Sequence, residues 1–121
     1  MSFKASVRHV GDVAIADLSG RLTLGEGSGA LRNTIKDLVA HGDKSIVLNL
    51  KEVSHIDSSG LGEMVGAYAS VTNAGGQIRL LHTQSKLHDL LVVTKLYSVF
   101  PNFEDEDAAV QSFATGAAGA P

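Results

Sequence analysis

The chain has no cysteine, only two prolines and little charge of either sign. Without thiols there is no disulfide framework and no thiolate chemistry. Charged residues make up 19%, and the formal net charge is −3. That balance argues against a surface built for nucleic acid or for an anionic membrane. No apolar signal run opens the chain, and no apolar stretch approaches membrane length. A soluble cytoplasmic protein with no direct membrane contact is therefore expected. The histidines His9, His41, His55, His82 and His88 show no ligand-like spacing to acids, so no metal site is expected. What is present is 44% hydrophobic residues in 121. That is enough for one well-formed core and too much for a disordered chain.

Periodicity divides the chain into alternating elements. Phe3–Val10 and Val13–Leu18 are strand-like runs separated by Gly11-Asp12, a hairpin signal. Leu31, Ile35, Leu38 and Val39 recur at helical spacing from about Ser28, with Gly42 placed as a C-terminal cap. Ser45–Leu50 is short, apolar and β-branched, as a buried strand is. A helix to about Ala74 carries Leu61, Met64, Val65, Tyr68 and Val71 on one face and stops at Gly75-Gly76. Gln77–Leu81 predicts a second buried strand, and Gln84 to about Val93 a short helix. Val99-Phe100 predicts a brief edge strand stopped by Pro101. The acids Glu104 to Asp107 suit the first turn of a last helix, solvated and facing its positive end. This order predicts a single α/β domain: a mixed β-sheet, with an N-terminal hairpin plus parallel strands, and about four helices. The domain is expected over residues 1–113, with 114–121 as a mobile tail of small residues.

Everything else is arranged around Val53-Ser54-His55-Ile56-Asp57-Ser58-Ser59-Gly60-Leu61-Gly62. It joins a strand end to a helix start through a tight polar turn. Two serines then stand where free backbone N–H groups favour negative charge, phosphate included. The plain alternative is that Ser58 or Ser59 only caps the helix. Gly60 and Gly62 bring no side chains to the turn, so a partner can approach closely. Gly66 is expected to let the helix lie close to the sheet.

Asp57-Ser58-Ser59-Gly60-Leu61-Gly62 after an apolar strand resembles the signature of the STAS domain, the anti-sigma factor antagonist family. The resemblance extends over about residues 3–113 by order of elements. It implies that Ser58 is phosphorylated by a partner serine kinase that doubles as an anti-sigma factor, and that a metal-dependent serine phosphatase resets it. Unmodified protein would bind that kinase, and modified protein would not. Asp57, Ser59, Gly60, Gly62, Glu63, Thr23, Gly25, His82 and Thr83 are the expected partner-binding positions. Many family members carry an acid where this chain has Thr23. The resemblance implies no cofactor held by the chain, no enzymatic activity, and a monomer or weak dimer. A second reading keeps the fold: a STAS subunit of a transport, lipid-trafficking or large signalling complex.

Other chemistry fits less well. Gly25-Glu26-Gly27-Ser28-Gly29-Ala30 matches a dinucleotide-loop pattern, but Asn49-Leu50 end the next strand where an acid is needed. A P-loop would need Gly-Lys-Ser/Thr. A serine hydrolase would need a base beside Ser58, and the strand end points His55 away from it. Glu63 is expected on the exposed helix face, open to a basic partner.

Overall fold

The computed structural model describes residues 3–115. Strands β1 (Lys4–Val10) and β2 (Val13–Leu22) form the expected antiparallel hairpin. Gly11 takes φ +60° at its turn and Asp12 does not, the pattern of a type II′ turn whose twist suits a hairpin. There follow α1 (Ser28–Ala40), β3 (Ser45–Ile56), α2 (Ser58–Asn73), β4 (Gln77–Leu81), α3 (Ser85–Val93), β5 (Asn102–Phe103) and α4 (Glu106–Thr115). The sheet order is β1-β2-β3-β4-β5, with every pairing after the hairpin parallel.

Strand alternation divides the interior in two. Ala14, Leu18, Ile46, Leu48, Ile78 and Leu80 face one way and bury Leu31 of α1, Met64 of α2 and Leu91 of α3. Their neighbours Val13, Ile15, Val47 and Leu81 face the other way and meet α4, through Ala109, Val110 and Phe113, with Phe103 packed beside them. Three helices thus cover one face and one helix the other. Arg79 also points to the α4 side and is 2% exposed. Its guanidinium donates to Ser112 Oγ at 3.0 Å and Gln77 Oε1 at 2.7 Å, and lies 4.3 Å above the Phe113 ring. Burial pulls its pKa down.

Gly42 closes α1 as expected. With φ +86° it donates to Val39 O, while Asp43 N–H reaches back to Leu38 O, a Schellman arrangement. Several expectations need correction. The predicted edge strand at Val99-Phe100 is absent, and the pairing falls beyond Pro101 at Asn102–Phe103. Phe100 is instead fully buried, edge-on to Tyr68 with ring centres 5.7 Å apart. An aromatic of that size gains more as a core plug than as half an exposed edge. Gly66 does not bring the helix to the sheet, because a Cβ there would meet nothing within 4 Å. Ala114 and Thr115, assigned to the tail, are the end of α4, while residues 116–121 lie outside the described residues. The acid run is not uniformly solvated at a helix start. Only Glu106 and Asp107 lie in the first turn, and Asp105 Oδ2 accepts from Ala108 N–H at 2.9 Å. Glu106 is tied to Arg8, which also binds Asp17.

Candidate functional site: the Ser58 turn

The turn is positioned by a strand longer than its apolar run suggests. β3 continues from Leu50 to Ile56 because its pairing with β2 resumes after breaks, ending in Leu22↔Ile56. The slack in β3 is taken up by Gln84, at the N-terminus of α3. Its Nε2 donates to Leu50 O at 3.1 Å, Lys51 O at 2.7 Å and Val53 O at 2.9 Å. Carbonyls displaced from the ladder thus find a donor. Asp57 then leaves the sheet with extended backbone and caps α2.

The cap is Asp57, not Ser58 or Ser59, which corrects the simpler alternative. Its Oδ1 accepts from Gly60 N–H at 2.9 Å. Its Oδ2 accepts from Leu24 N–H at 3.2 Å, which ties the β2–α1 loop to the turn. The Gly60 N–H, then the Leu24 N–H, hold this carboxyl below the usual carboxylate range. With Asp57 as the cap, neither serine is needed for that task and the first helical position is left over. Ser58 occupies it and is exposed. No hydrogen bond among the described residues uses its hydroxyl. Ser59 is half-buried beside it.

The two glycines of the turn stand in different surroundings. Gly60 is buried, and a Cβ there would lie 2.0 Å from the Leu22 carbonyl oxygen. It serves the close approach of α2 to the end of β2, not the approach of a partner. Gly62 is exposed and open on the outside. Glu63 is likewise not a free surface acid. Its side chain is 18% exposed and pairs with Arg32 of α1, which holds it below its usual range.

Around the turn lies a rim of loops. Thr23 O accepts from the N–H groups of Glu26 and Gly27 at 3.1 Å, so the glycine-rich segment is a tight turn into α1. Gly25 sits in it with φ +81°. Leu24, between Thr23 and Gly25, is 75% exposed. Sequence reading missed it, although an apolar residue in an otherwise polar loop is the signal that marks it. His82 and Thr83 follow β4, the neighbour of β3. His82 has φ +57°, and Thr83 Oγ1 donates to Asn102 Oδ1 at 2.6 Å. Both are half-buried. His55 Nδ1 lies 3.1 Å from Ser54 Oγ, and no hydrogen bond among the described residues joins its ring to Ser58. Among the described residues no cluster of three or more His, Cys, Asp or Glu is arranged to hold a metal. No helix there is long and apolar enough to cross a membrane.

This architecture has known counterparts. The STAS domain family profile matches residues 4–109. An anti-sigma F factor antagonist of Paenibacillus polymyxa is 29% identical over 107 residues, covering 88% of this chain and 91% of the relative. The crystal structure of an anti-sigma factor antagonist from Mycobacterium paratuberculosis superposes with a TM-score of 0.81 at 22% identity, over 92% of this chain and 93% of that one. The Bacillus cell fate determinant SpoIIAA in its phosphorylated form gives 0.70 at 20% identity, over 89% and 98%. On the profile match, the relative and the shared fold together, the chain belongs to the STAS domain family, among the anti-sigma factor antagonists.

Proposed function

We propose that this chain frees a sigma factor by engaging its anti-sigma factor through the Ser58 turn, and that phosphorylation of Ser58 ends the engagement. The observation that carries the reading is the Ser58 hydroxyl, exposed at the first position of α2 and left out of the cap by Asp57. A phosphate there adds about −1.5 to −2 charges and three strong acceptors. The N-terminus of α2 tolerates that charge, while Asp57 next door opposes it. The domain stays folded when modified. A protein surface packed over the turn does not accommodate it, because a dianion must then be desolvated without a built partner. A penalty of about 3 kcal/mol lowers affinity by about two decades. A switch of this size needs no change of shape in the chain.

The partner is a serine kinase that is itself the anti-sigma factor, and a metal-dependent phosphatase resets Ser58. The supporting surface is the rim of Thr23, Leu24, Gly25, Gly62, His82 and Thr83, with Asp57 and Ser59 at its centre. The second acceptor, Ser59, is the less exposed hydroxyl. The test titrates wild type, Ser58→Ala and Ser58→Asp against the candidate kinase. Wild type and Ser58→Ala are expected to bind alike, and Ser58→Asp at least about tenfold more weakly. Equal binding by all three would end the reading. Incubation with kinase and ATP, followed by mass spectrometry, locates the phosphate independently.

A further inference from the structure

β1 is the outer strand of the sheet, and no strand among the described residues pairs with its outer edge. The hairpin register decides which groups face out. Val10 and Val13 flank a two-residue turn and so form a hydrogen-bonded pair. Alternation then turns the N–H and C=O of Val10, Arg8, Ser6 and Lys4 towards β2, and those of His9, Val7 and Ala5 outward. All seven residues pair with β2 without a break. The edge therefore lacks the bulge or proline that usually blunts one. Of its two long cations, Arg8 is drawn inward onto Asp17 at 2.7 Å and Glu106 at 2.6 Å. Val7 is 41% exposed and Val10 38%.

We propose that β1 pairs antiparallel with β1 of a second copy about a two-fold axis through Val7, joining the two sheets into one. The choice of occupant rests on the charge pattern of the edge itself. Outward-facing groups must meet outward-facing groups, and a ladder of at least five strand residues then allows axes at Ser6, Val7 or Arg8. An axis at Ser6 sets Lys4 opposite Arg8, and an axis at Arg8 sets Arg8 opposite itself. Both place cation against cation, which is destabilising. The axis at Val7 sets Val7 opposite Val7, Ser6 opposite Arg8, Ala5 opposite His9 and Lys4 opposite Val10. No like charges meet, and a β-branched pair lies on the axis. The small Ala5 leaves room for the partner's imidazole, which its own chain holds 3.1 Å from Asp43. The backbone groups of Ala5, Val7 and His9 then satisfy one another across the axis. This association is independent of Ser58 and stands or falls separately from the partner-switching reading.

The test is sedimentation of the whole chain from micromolar to millimolar concentration, with amide exchange followed by NMR in the same samples. The mass is expected to rise towards two chains. The amides of Ala5, Val7 and His9 are expected to slow at least about tenfold as it does, while Ser6 and Arg8 stay as they were. Val7→Pro removes an outward N–H and leaves the β1–β2 ladder whole, so it is expected to stay single with an unchanged circular dichroism spectrum. Should Val7→Pro disturb the fold, Val7→Lys sets two cations across the axis and is read the same way. A chain that remains single at millimolar concentration overturns the proposal. So does a dimer in which the three outward amides exchange at their monomer rates.

Discussion

Gly60 sets the geometry of the turn more sharply than any other residue in it. An alanine Cβ would lie 2.0 Å from Leu22 O, backbone that cannot move aside without shifting β2. Gly60→Ala is expected to destabilise by about 3 kcal/mol in urea unfolding, at the upper end of overpacking costs. Gly62, two positions on, meets nothing within 4 Å. Gly62→Ala is expected to stabilise by up to about 1 kcal/mol, from helix propensity alone. Asp57 has two tasks, the cap and the hold on Leu24. Asp57→Ala is expected to lower Tm by about 3–5 °C and to speed exchange of the Leu24 amide. Asp57→Asn, which still accepts hydrogen bonds, loses less. The cap was legible in sequence only as a polar cluster. Asp, Ser and Ser are all good cap residues, and only the backbone exit angle from β3 selects the first.

Among the elements, α3 ends awkwardly and α4 is held lightly. Lys95 takes φ +63° just past α3, in the place where a glycine is usual. Lys95 N–H donates to Val92 O, and Leu96 N–H to Leu91 O. Lys95→Gly is expected to stabilise by about 0.5–1 kcal/mol, the relief of a left-handed side chain less the entropy glycine adds to the unfolded chain. Helix α4 is pinned by core contacts, by Arg79 under Phe113 and by the Arg8–Glu106 pair. That pair has side chains 43% and 36% exposed. Glu106→Gln is therefore expected to cost less than about 1 kcal/mol and to cost less still in high salt. The helices were legible because their apolar spacing is local. β5 was not. Two residues carry no period, and Asn102–Phe103 pair only because Phe100 is drawn into the core before them.

For the whole molecule, the carboxyls point to one pH response. Asp17 and Glu106 are held below their usual range chiefly by Arg8, Glu63 by Arg32, and Asp57 by backbone N–H groups. A carboxyl with a lower pKa folded than unfolded binds protons less well when folded. Its contribution is complete above the unfolded value of about 4 and is lost as pH falls through the folded value. Tm is thus expected to be flat with respect to these groups at neutral pH and to drop below about pH 4. Scanning calorimetry across pH 2–7 checks it, and Arg8→Met should flatten the acid limb.

From residue order alone come the α/β class, the helix faces, the hairpin at Gly11-Asp12 and the Ser58 turn, because all of these depend on neighbours a few positions apart. Tertiary structure alone decided that Asp57 binds the Leu24 loop, that Gly60 lies against Leu22, and that Glu63 pairs with Arg32 rather than facing solvent. Each of those facts joins segments roughly thirty or more residues apart, where periodicity carries no information and packing chooses the partner.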